Sequence, residues 1–388
     1  MSAARVFFYV QHLLGIGHQR RGATLTRAMQ DADLDVTYVS GGHEVPNLEL
    51  AGANFVQLPP VRAVDLYFKE LVDENDRPID DTWRKNRQAA LMAVYRACKP
   101  DLIILELYPF GRRQMRFELL PLLDAARAQA HPPVVVSSVR DILVEPPKPE
   151  RLVEMLERIE TYFDHVMVHG DEALVPFEQT FPHAADIAHK ISYTGYVVDQ
   201  RGEAGGGDGL GHGEVLVSAG GGAVGDRLLR TAMAARSLTS LSAATWRVLV
   251  GTKVPEAEFL ALAEIAEPGV IVERARGDFP ALLMNCALSI SQGGYNTVME
   301  SLHAGCAALI VPYAGGLETE QTLRASLLAE RGLINVLDEA DPTAENLALG
   351  IEKAILGQGK RKAIMIRTDG AAETARLITK WAKKNKNG

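Results

Sequence analysis

No stretch constrains the fold more than Cys286 to Pro312. An apolar strand, Ala287 to Ser291, runs into the diglycine Gly293-Gly294. A short helix follows, carrying one carboxylate at Glu300, and then a second apolar strand, Ala308 to Val311. This is the pattern of an open parallel sheet. Ligands gather there at the carboxyl ends of strands, where glycines admit close backbone approach and helix N-termini offer unpaired N–H groups to anions.

The same alternation fills the rest of the chain. Strand-length apolar runs at Val6–Val10, Val36–Ser40, Phe55–Leu58, Leu102–Leu107, Val134–Val139, Val166–His169 and Ile191–Thr194 are interleaved with helical patterns at Arg21–Asp31, Asp81–Ala97, Glu118–Ala130 and Glu150–Tyr162. The pattern restarts with Val215–Ser218, Trp246–Val250 and Val270–Glu273. Runs this apolar predict strands covered on both faces, and hence βαβ units. Between the two halves lies QRGEAGGGDGLGHG, too glycine-dense to order itself cheaply. The expected architecture is therefore α/β, with two doubly wound Rossmann-like domains facing a cleft. Residues 1–199 form the first domain, 200–213 a linker, 214–370 the second domain, and 371–388 a terminal helix whose basic tail frays after Lys383.

Charge and composition narrow the function. A net charge of -8 argues against a nucleic-acid partner, because phosphate contacts need a basic face. No apolar run reaches the roughly 20 residues of a spanning helix, and the N-terminus lacks a signal-peptide layout. The chain thus reads as cytoplasmic. Peripheral attachment to the inner face of a membrane is the alternative, through Phe110, Arg112, Arg113, Met115, Arg116 and Phe117 on anionic lipid. A helix start with snorkelling arginines is the preferred account of that cluster. Three distant cysteines, Cys98, Cys286 and Cys306, read as core thiols. The Asp31/Asp33/Asp35 and Asp73/Asp76 groups do not sit where strands end, so no metal and no cofactor are expected.

Chemistry should lie in the βα turns. In the first, Gly15 and Gly17 precede His18, which titrates near neutral pH and suits a general base; a tight turn with a solvated histidine is the plain alternative. Gly220, Gly221 and Gly222 follow the strand at Val215–Ser218 and offer a backbone cradle for a diphosphate. No P-loop lysine accompanies them, so ATP hydrolysis is not supported. Glu300 has two readings. Either it closes a capping box with Thr297, or it accepts from a ribose diol, which is preferred. Glu320 and Gln321 offer acceptors and donors for sugar hydroxyls. Glu106, Arg112, Arg113, Arg140 and Asp141 follow strands of the first half and suit an acceptor or its phosphate. An internal Arg140–Asp141 pairing is an equal alternative.

With these residues in place the chain resembles the GT-B glycosyltransferases, most closely the MurG-like, family 28 group. The matching features are Gly15 to His18, Gly220 to Gly222, the block Gly293-Gly294…Glu300…Ala304-Gly305, and Glu320-Gln321. The order is kept along nearly the whole chain, but the motifs are specific only in the C-terminal half. The resemblance implies a nucleotide-sugar, usually UDP-linked, in the second domain. Gly293, Gly294, Asn296, Thr297 and Glu300 would lie at the nucleotide, the Gly220 loop at the diphosphate, Glu320 and Gln321 at the sugar, and His18 would act as base. The expected reaction is inverting, metal-independent transfer to an acceptor hydroxyl, lipid-linked or on a small molecule. The family's Gly-Gly-x-Gly-Gly-His run is absent, so acceptor identity does not carry over. Gly15-Ile-Gly17-His18-Gln-Arg-Arg21 also resembles the Gly-x-Gly-His-x-x-Arg loop of nucleotide-sugar hydrolases, for which water would be the acceptor. A nucleotide-sugar 2-epimerase shares the architecture without a convincing catalytic match, and a non-catalytic sensor is the remaining alternative.

Overall fold

The computed structural model describes residues 3–46, 48–65, 70–143, 148–200, 209–219, 225–313, 319–337, 342–357 and 366–387. The chain divides into two compact units: Met1–Val197 together with Asp369–Gly388, and Val198–Thr368.

In chain order the first unit contains β1 (Arg5–Val10), α1 (Gly17–Asp31), β2 (Asp35–Ser40), β3 (Asn54–Gln57), the short strands β4 (Arg62–Ala63) and β5 (Leu71–Val72), and α2 (Asp81–Cys98). It continues with β6 (Leu102–Glu106), α3 (Arg116–Arg127), β7 (Val134–Arg140), α4 (Pro149–Tyr162), β8 (His165–His169) and β9 (Ile191–Tyr193). Seven strands form one sheet in the order β3-β2-β1-β6-β7-β8-β9, every pair parallel. Strand β1 shows why the apolar runs are unbroken. Side chains alternate across a strand, so Phe7 and Tyr9 join Leu91 and Leu119 in one core, while Val6, Phe8 and Val10 join Leu25 and Met29 in another. Each such burial contributes roughly 1.5–3 kcal/mol. Chain order reverses between β1 and β6, which makes their carboxyl ends the expected ligand crevice.

The second unit repeats the design with β10 (Val215–Ser218), α5 (Asp226–Ala235), β11 (Trp246–Val250), α6 (Glu256–Glu264), β12 (Val270–Arg274), α7 (Phe279–Asn285), β13 (Leu288–Ser291) and α8 (Tyr295–Ala304). After these come β14 (Ala308–Ile310), α9 (Glu320–Glu330), β15 (Asn335–Val336) and α10 (Ala344–Gly357). Its six-stranded sheet has the order β12-β11-β10-β13-β14-β15. The reversal lies between β10 and β13, the strands that precede the two glycine motifs.

Three sequence expectations need amendment. The last helix, α11 (Gly370–Asn387), packs in the first unit, where Ile378 and Trp381 join the core around α1 and Trp381 stacks on His165 with ring centroids 3.9 Å apart. It continues through Asn387 rather than fraying at Lys383, and Asn385 donates to the Pro132 carbonyl at 3.1 Å. Of the glycine-dense stretch, residues 201–208 lie outside the described residues, whereas 209–213 are ordered turns. His212 N–H donates to Gly209 O, and Gly213 N–H donates to Asn285 O at the end of α7. The β4–β5 pair and β15 were not foreseen, because two-residue strands carry no readable alternation.

Candidate functional site

In the first unit, α1 begins at Gly17, so His18 occupies its first turn with no side-chain cap above it. Gly22 lets this helix lie close on the sheet, since a Cβ there would meet the Tyr38 hydroxyl at 2.9 Å and Val10 at 3.2 Å. His18 and Arg21, one turn apart, therefore reach the end of β6. There His18 Nδ1 lies 2.8 Å from Glu106 Oε1, and Arg21 donates to the same oxygen. Arg21 and Glu106 are fully buried, whereas the His18 side chain keeps 14% of its surface exposed. Ser138, on β7, donates to the other carboxylate oxygen at 2.6 Å.

The electrostatics follow from this geometry. Burial works against ionisation of Glu106, but Arg21 and the His18 and Ser138 hydrogen bonds outweigh it, so its carboxyl lies well below the usual range. Burial, with Arg112 and Arg140 nearby, pushes His18 down to about 3 despite Glu106. The imidazole is neutral at pH 7, with Nδ1–H directed at a carboxylate and Nε2 the nitrogen left to accept a proton. Glu106, expected at an acceptor, is instead the fully buried partner of His18. Sequence could not pair them, because 88 residues separate them and only the sheet order makes β1 and β6 neighbours.

A second buried network supports the turns. Arg87 Nε donates to Glu118 at 2.8 Å, and its terminal nitrogens donate to the Gly41 carbonyl at 2.7 Å and to Gln11 Oε1 at 2.6 Å. Gly41 and Gly42 are required by this crowding, since added Cβ atoms would lie 2.1 Å from Gln11 Oε1 and 2.3 Å from the His12 ring.

The other candidates of this unit separate. Gly15 and Gly17 remain exposed beside His18. Arg112 donates from Nε to Gln11 O at 2.7 Å, and burial lowers it to about 10. Arg113 is instead engaged by Glu154 of α4 at 2.8 Å. Arg140 ends β7 half-buried, and the buried Asp141 accepts from Ile142 N–H at 2.9 Å. The proposed lipid-facing cluster is not formed as a surface. Phe110 packs edge-on against Phe177 and Phe181, Met115 is fully buried, and Phe117 packs against Trp83.

In the second unit Gly220, Gly221 and Gly222 lie outside the described residues, but the ends of their loop are fixed. Gly225 has φ +125°, and a Cβ there would lie 2.0 Å from that of Ala219 and 3.4 Å from Gln292 Nε2. Ala219 and Gly225, which flank that segment, thus lie close together beside Gln292 of the turn after β13. Gly293 is required too, because a Cβ would meet Gln321 at 3.0 Å. Gly294 is the N-cap of α8, with no side-chain cap bond. Asn296 and Thr297 stand in its first turn. This rules out the capping box: Thr297 is three residues inside the helix and Glu300 is a further turn along. Glu300 is half-buried and faces a small concavity lined by Val198, Pro280, Met284, His303 and Ala304.

Glu320, expected at the donor sugar, is tied to an arginine. Its carboxylate is buried and accepts from Arg324 at 2.8 Å, and the fully buried Arg324 also donates to Gly293 O at 3.3 Å and lies over the Tyr295 ring. Glu320 thus pins the Gly293 turn through Arg324. Gln321 Oε1 accepts from Tyr313 N–H at 3.2 Å. Among the described residues no group of three His, Cys, Asp or Glu side chains is placed to hold a metal ion.

Comparison with known proteins bears mainly on the latter part of the second unit and on α11. Residues 276–380 match the family model of the glycosyltransferase family 28 C-terminal domain. A UDP-N-acetylglucosamine–N-acetylmuramyl-(pentapeptide) pyrophosphoryl-undecaprenol N-acetylglucosamine transferase of Burkholderia pseudomallei (strain 668) is 30% identical over 115 residues, 29% of this chain and 31% of the relative. The match therefore spans about a third of that curated relative. Among solved structures, MurG of Acinetobacter baumannii aligns with a TM-score of 0.58 at 16% identity, covering 99% of this chain and 100% of that one. LpCGTa, solved in complex with UDP, gives 0.61 at 13% identity, covering 97% and 99%. At these identities the likeness is one of fold, and the fold is the two-Rossmann-domain GT-B arrangement.

Proposed function

We propose that this chain, whose residues 276–380 match the family 28 C-terminal domain, is an inverting, metal-independent glycosyltransferase using a UDP-linked sugar. The observation that carries the reading is the His18–Glu106 pair at the strand reversal of the first unit, 2.8 Å between Nδ1 and Oε1. It is the apparatus of a general base whose conjugate acid is stabilised by a buried anion.

The acceptor hydroxyl gives its proton to His18 Nε2 as its oxygen attacks the anomeric carbon from the face opposite the leaving group, which inverts the configuration. Glu106 balances the imidazolium as it forms. Negative charge then grows on the departing diphosphate, which backbone N–H groups of the Gly220 loop and the uncapped start of α8 stabilise in place of a divalent ion. Glu300 accepts from the ribose hydroxyls, and Gln321 contacts the donor sugar. The Burkholderia relative is named for transfer to a pyrophosphoryl-undecaprenol acceptor. Arg112 and Arg140, both close enough to lower the proton affinity of His18, suit an acceptor that likewise carries a phosphate near its hydroxyl.

Purified protein incubated with UDP-, dTDP-, GDP- and CMP-sugars, with and without phosphorylated acceptors, should release UDP in an acceptor-dependent manner. Rapid stoichiometric release of free sugar without acceptor would instead establish hydrolysis. That second reading is favoured by Arg21, because the Gly-x-Gly-His-x-x-Arg spacing brings both of its polar side chains onto Glu106.

A further inference from the structure

We infer that Ser138, His169 and Thr194 form a one-way hydrogen-bond chain behind Glu106 and act as positioning residues for the base. The inference takes His18 as that base, as proposed above. Three strands contribute. Ser138 stands on β7 beside the end of β6, His169 ends β8, and Thr194 follows β9. All three are buried. Ser138 Oγ lies 2.6 Å from Glu106 Oε2 and 2.9 Å from His169 Nε2, and His169 Nδ1 lies 2.9 Å from Thr194 Oγ1.

Proton counting gives the chain its direction. An ionised carboxylate only accepts hydrogen bonds, so an oxygen 2.6 Å away in a buried site must present its proton. Ser138 has one proton, and it goes to Glu106. Ser138 must then accept from His169, which places the imidazole proton on Nε2. Burial holds His169 neutral, down to about 3, so Nδ1 carries a lone pair and Thr194 donates to it. The Thr194 hydroxyl also lies 2.8 Å from the Gly195 carbonyl. Directing its proton there would put the His169 proton on Nδ1 and turn the Ser138 proton toward Nε2. Two oxygens 2.6 Å apart would then face each other with no hydrogen between them. Arg21 and the Nδ1–H of His18 fill the other carboxylate oxygen. Glu106 is therefore held by donors on both sides, and Oε1 can only receive the His18 proton, which leaves Nε2 of His18 bare.

The test uses the whole protein and two readouts. In the uncomplexed enzyme with ¹⁵N-labelled histidine, assigned with His18→Gln and His169→Gln, neutral His18 should carry its proton on Nδ1 and neutral His169 on Nε2. Ser138→Ala removes one donor from Glu106, which then binds the His18 proton more tightly. The titration midpoint of His18 should rise by about one pH unit, since a charge-assisted hydrogen bond is worth about tenfold. The acid limb of kcat/KM should rise in step. Turnover should nevertheless fall about tenfold or more at unchanged donor KM, because the carboxylate released from Ser138 no longer holds the imidazole in line, and that loss of alignment outweighs the gain in basicity. Ser138→Thr should restore all three, because it returns the hydroxyl. His169 protonated on Nδ1, or a Ser138→Ala enzyme with the wild-type midpoint, would overturn the chain. The magnetic-resonance readout needs no substrate. A wild-type protein with these tautomers but no turnover of any nucleotide-sugar would therefore overturn the transferase reading and leave the chain standing.

Discussion

Replacing Glu106 by Gln tests the core of the proposed mechanism while keeping nearly the same shape. In the wild-type enzyme the imidazolium formed on His18 stands against a carboxylate whose oxygen is 2.8 Å from Nδ1. With charge centres about 4 Å apart and an effective dielectric near 20, that attraction is worth about 4 kcal/mol. The amide removes it, and each 1.36 kcal/mol is tenfold in rate, so kcat should fall by about three orders of magnitude. A glutamine turned with its NH₂ toward Nδ1 would also favour the wrong tautomer, which deepens the loss. Donor affinity should not change, because the proposed nucleotide contacts belong to the second unit. Turnover measured as nucleoside diphosphate release, with UDP binding by calorimetry, separates these effects. The variant also leaves Arg21, which is 1% exposed, facing a neutral group. Breaking a buried pair costs about 3–5 kcal/mol, so a thermal melt must first establish that the protein is folded. A folded E106Q enzyme within tenfold of the wild-type kcat would refute the base assignment.

Acid stability should respond to the two buried histidines. Both have folded pKa values of about 3, below the ordinary 6.5, so the unfolded chain binds the extra protons. Their contribution is fully present above pH 6.5 and is lost as pH falls toward 3, with several kcal/mol at stake. The Tm should drop steeply between pH 6 and 4, and His169→Gln should flatten that slope; equal slopes would contradict the assignment. Glu300→Gln should weaken UDP binding by about 10-fold or more, the worth of hydrogen bonds to a charged acceptor, while His18→Ala leaves it intact. Calorimetric affinities of wild type and both variants decide this. EDTA should leave turnover unchanged, and activity that returns only on adding Mg²⁺ or Mn²⁺ would overturn the metal-independent step.

How much of this was legible in the sequence depended on distance along the chain. Apart from β15, the strands of both large sheets were readable because buried parallel strands are apolar on both faces, and Val6 to Val10 divides its side chains between two cores. His18 and the Gly293-Gly294 turn were readable because a glycine next to a strand end is a local signal. Partnerships were not readable. Glu106 and Glu320 were both taken as ligands of a substrate, since a carboxylate after a strand has the same sequence signature whether it faces solvent or a buried cation. In fact Arg21 claims the first and Arg324 the second. Arg87 escaped notice for the same reason. It sits mid-helix in α2, yet it is fully buried and tied to Glu118, Gln11 and the Gly41 carbonyl.

These buried contacts share a direction. Glu106, expected at an acceptor, holds His18 from behind, while Arg324 and Arg87, which the sequence did not single out, hold glycine turns. The proposed sites rest on glycine turns that carry no charge of their own, so those turns must be fixed from behind. Arg324 does this for Gly293, donating to its carbonyl at 3.3 Å, and Arg87 does it for Gly41 at 2.7 Å. The buried ions therefore belong to preorganisation, which is where an electrostatic mechanism gains most of its rate. Conservative changes at Arg324 or Arg87 should accordingly lower turnover through lost order in the turns, and the loss should appear in donor affinity for Arg324 and in acceptor-dependent kcat for Arg87.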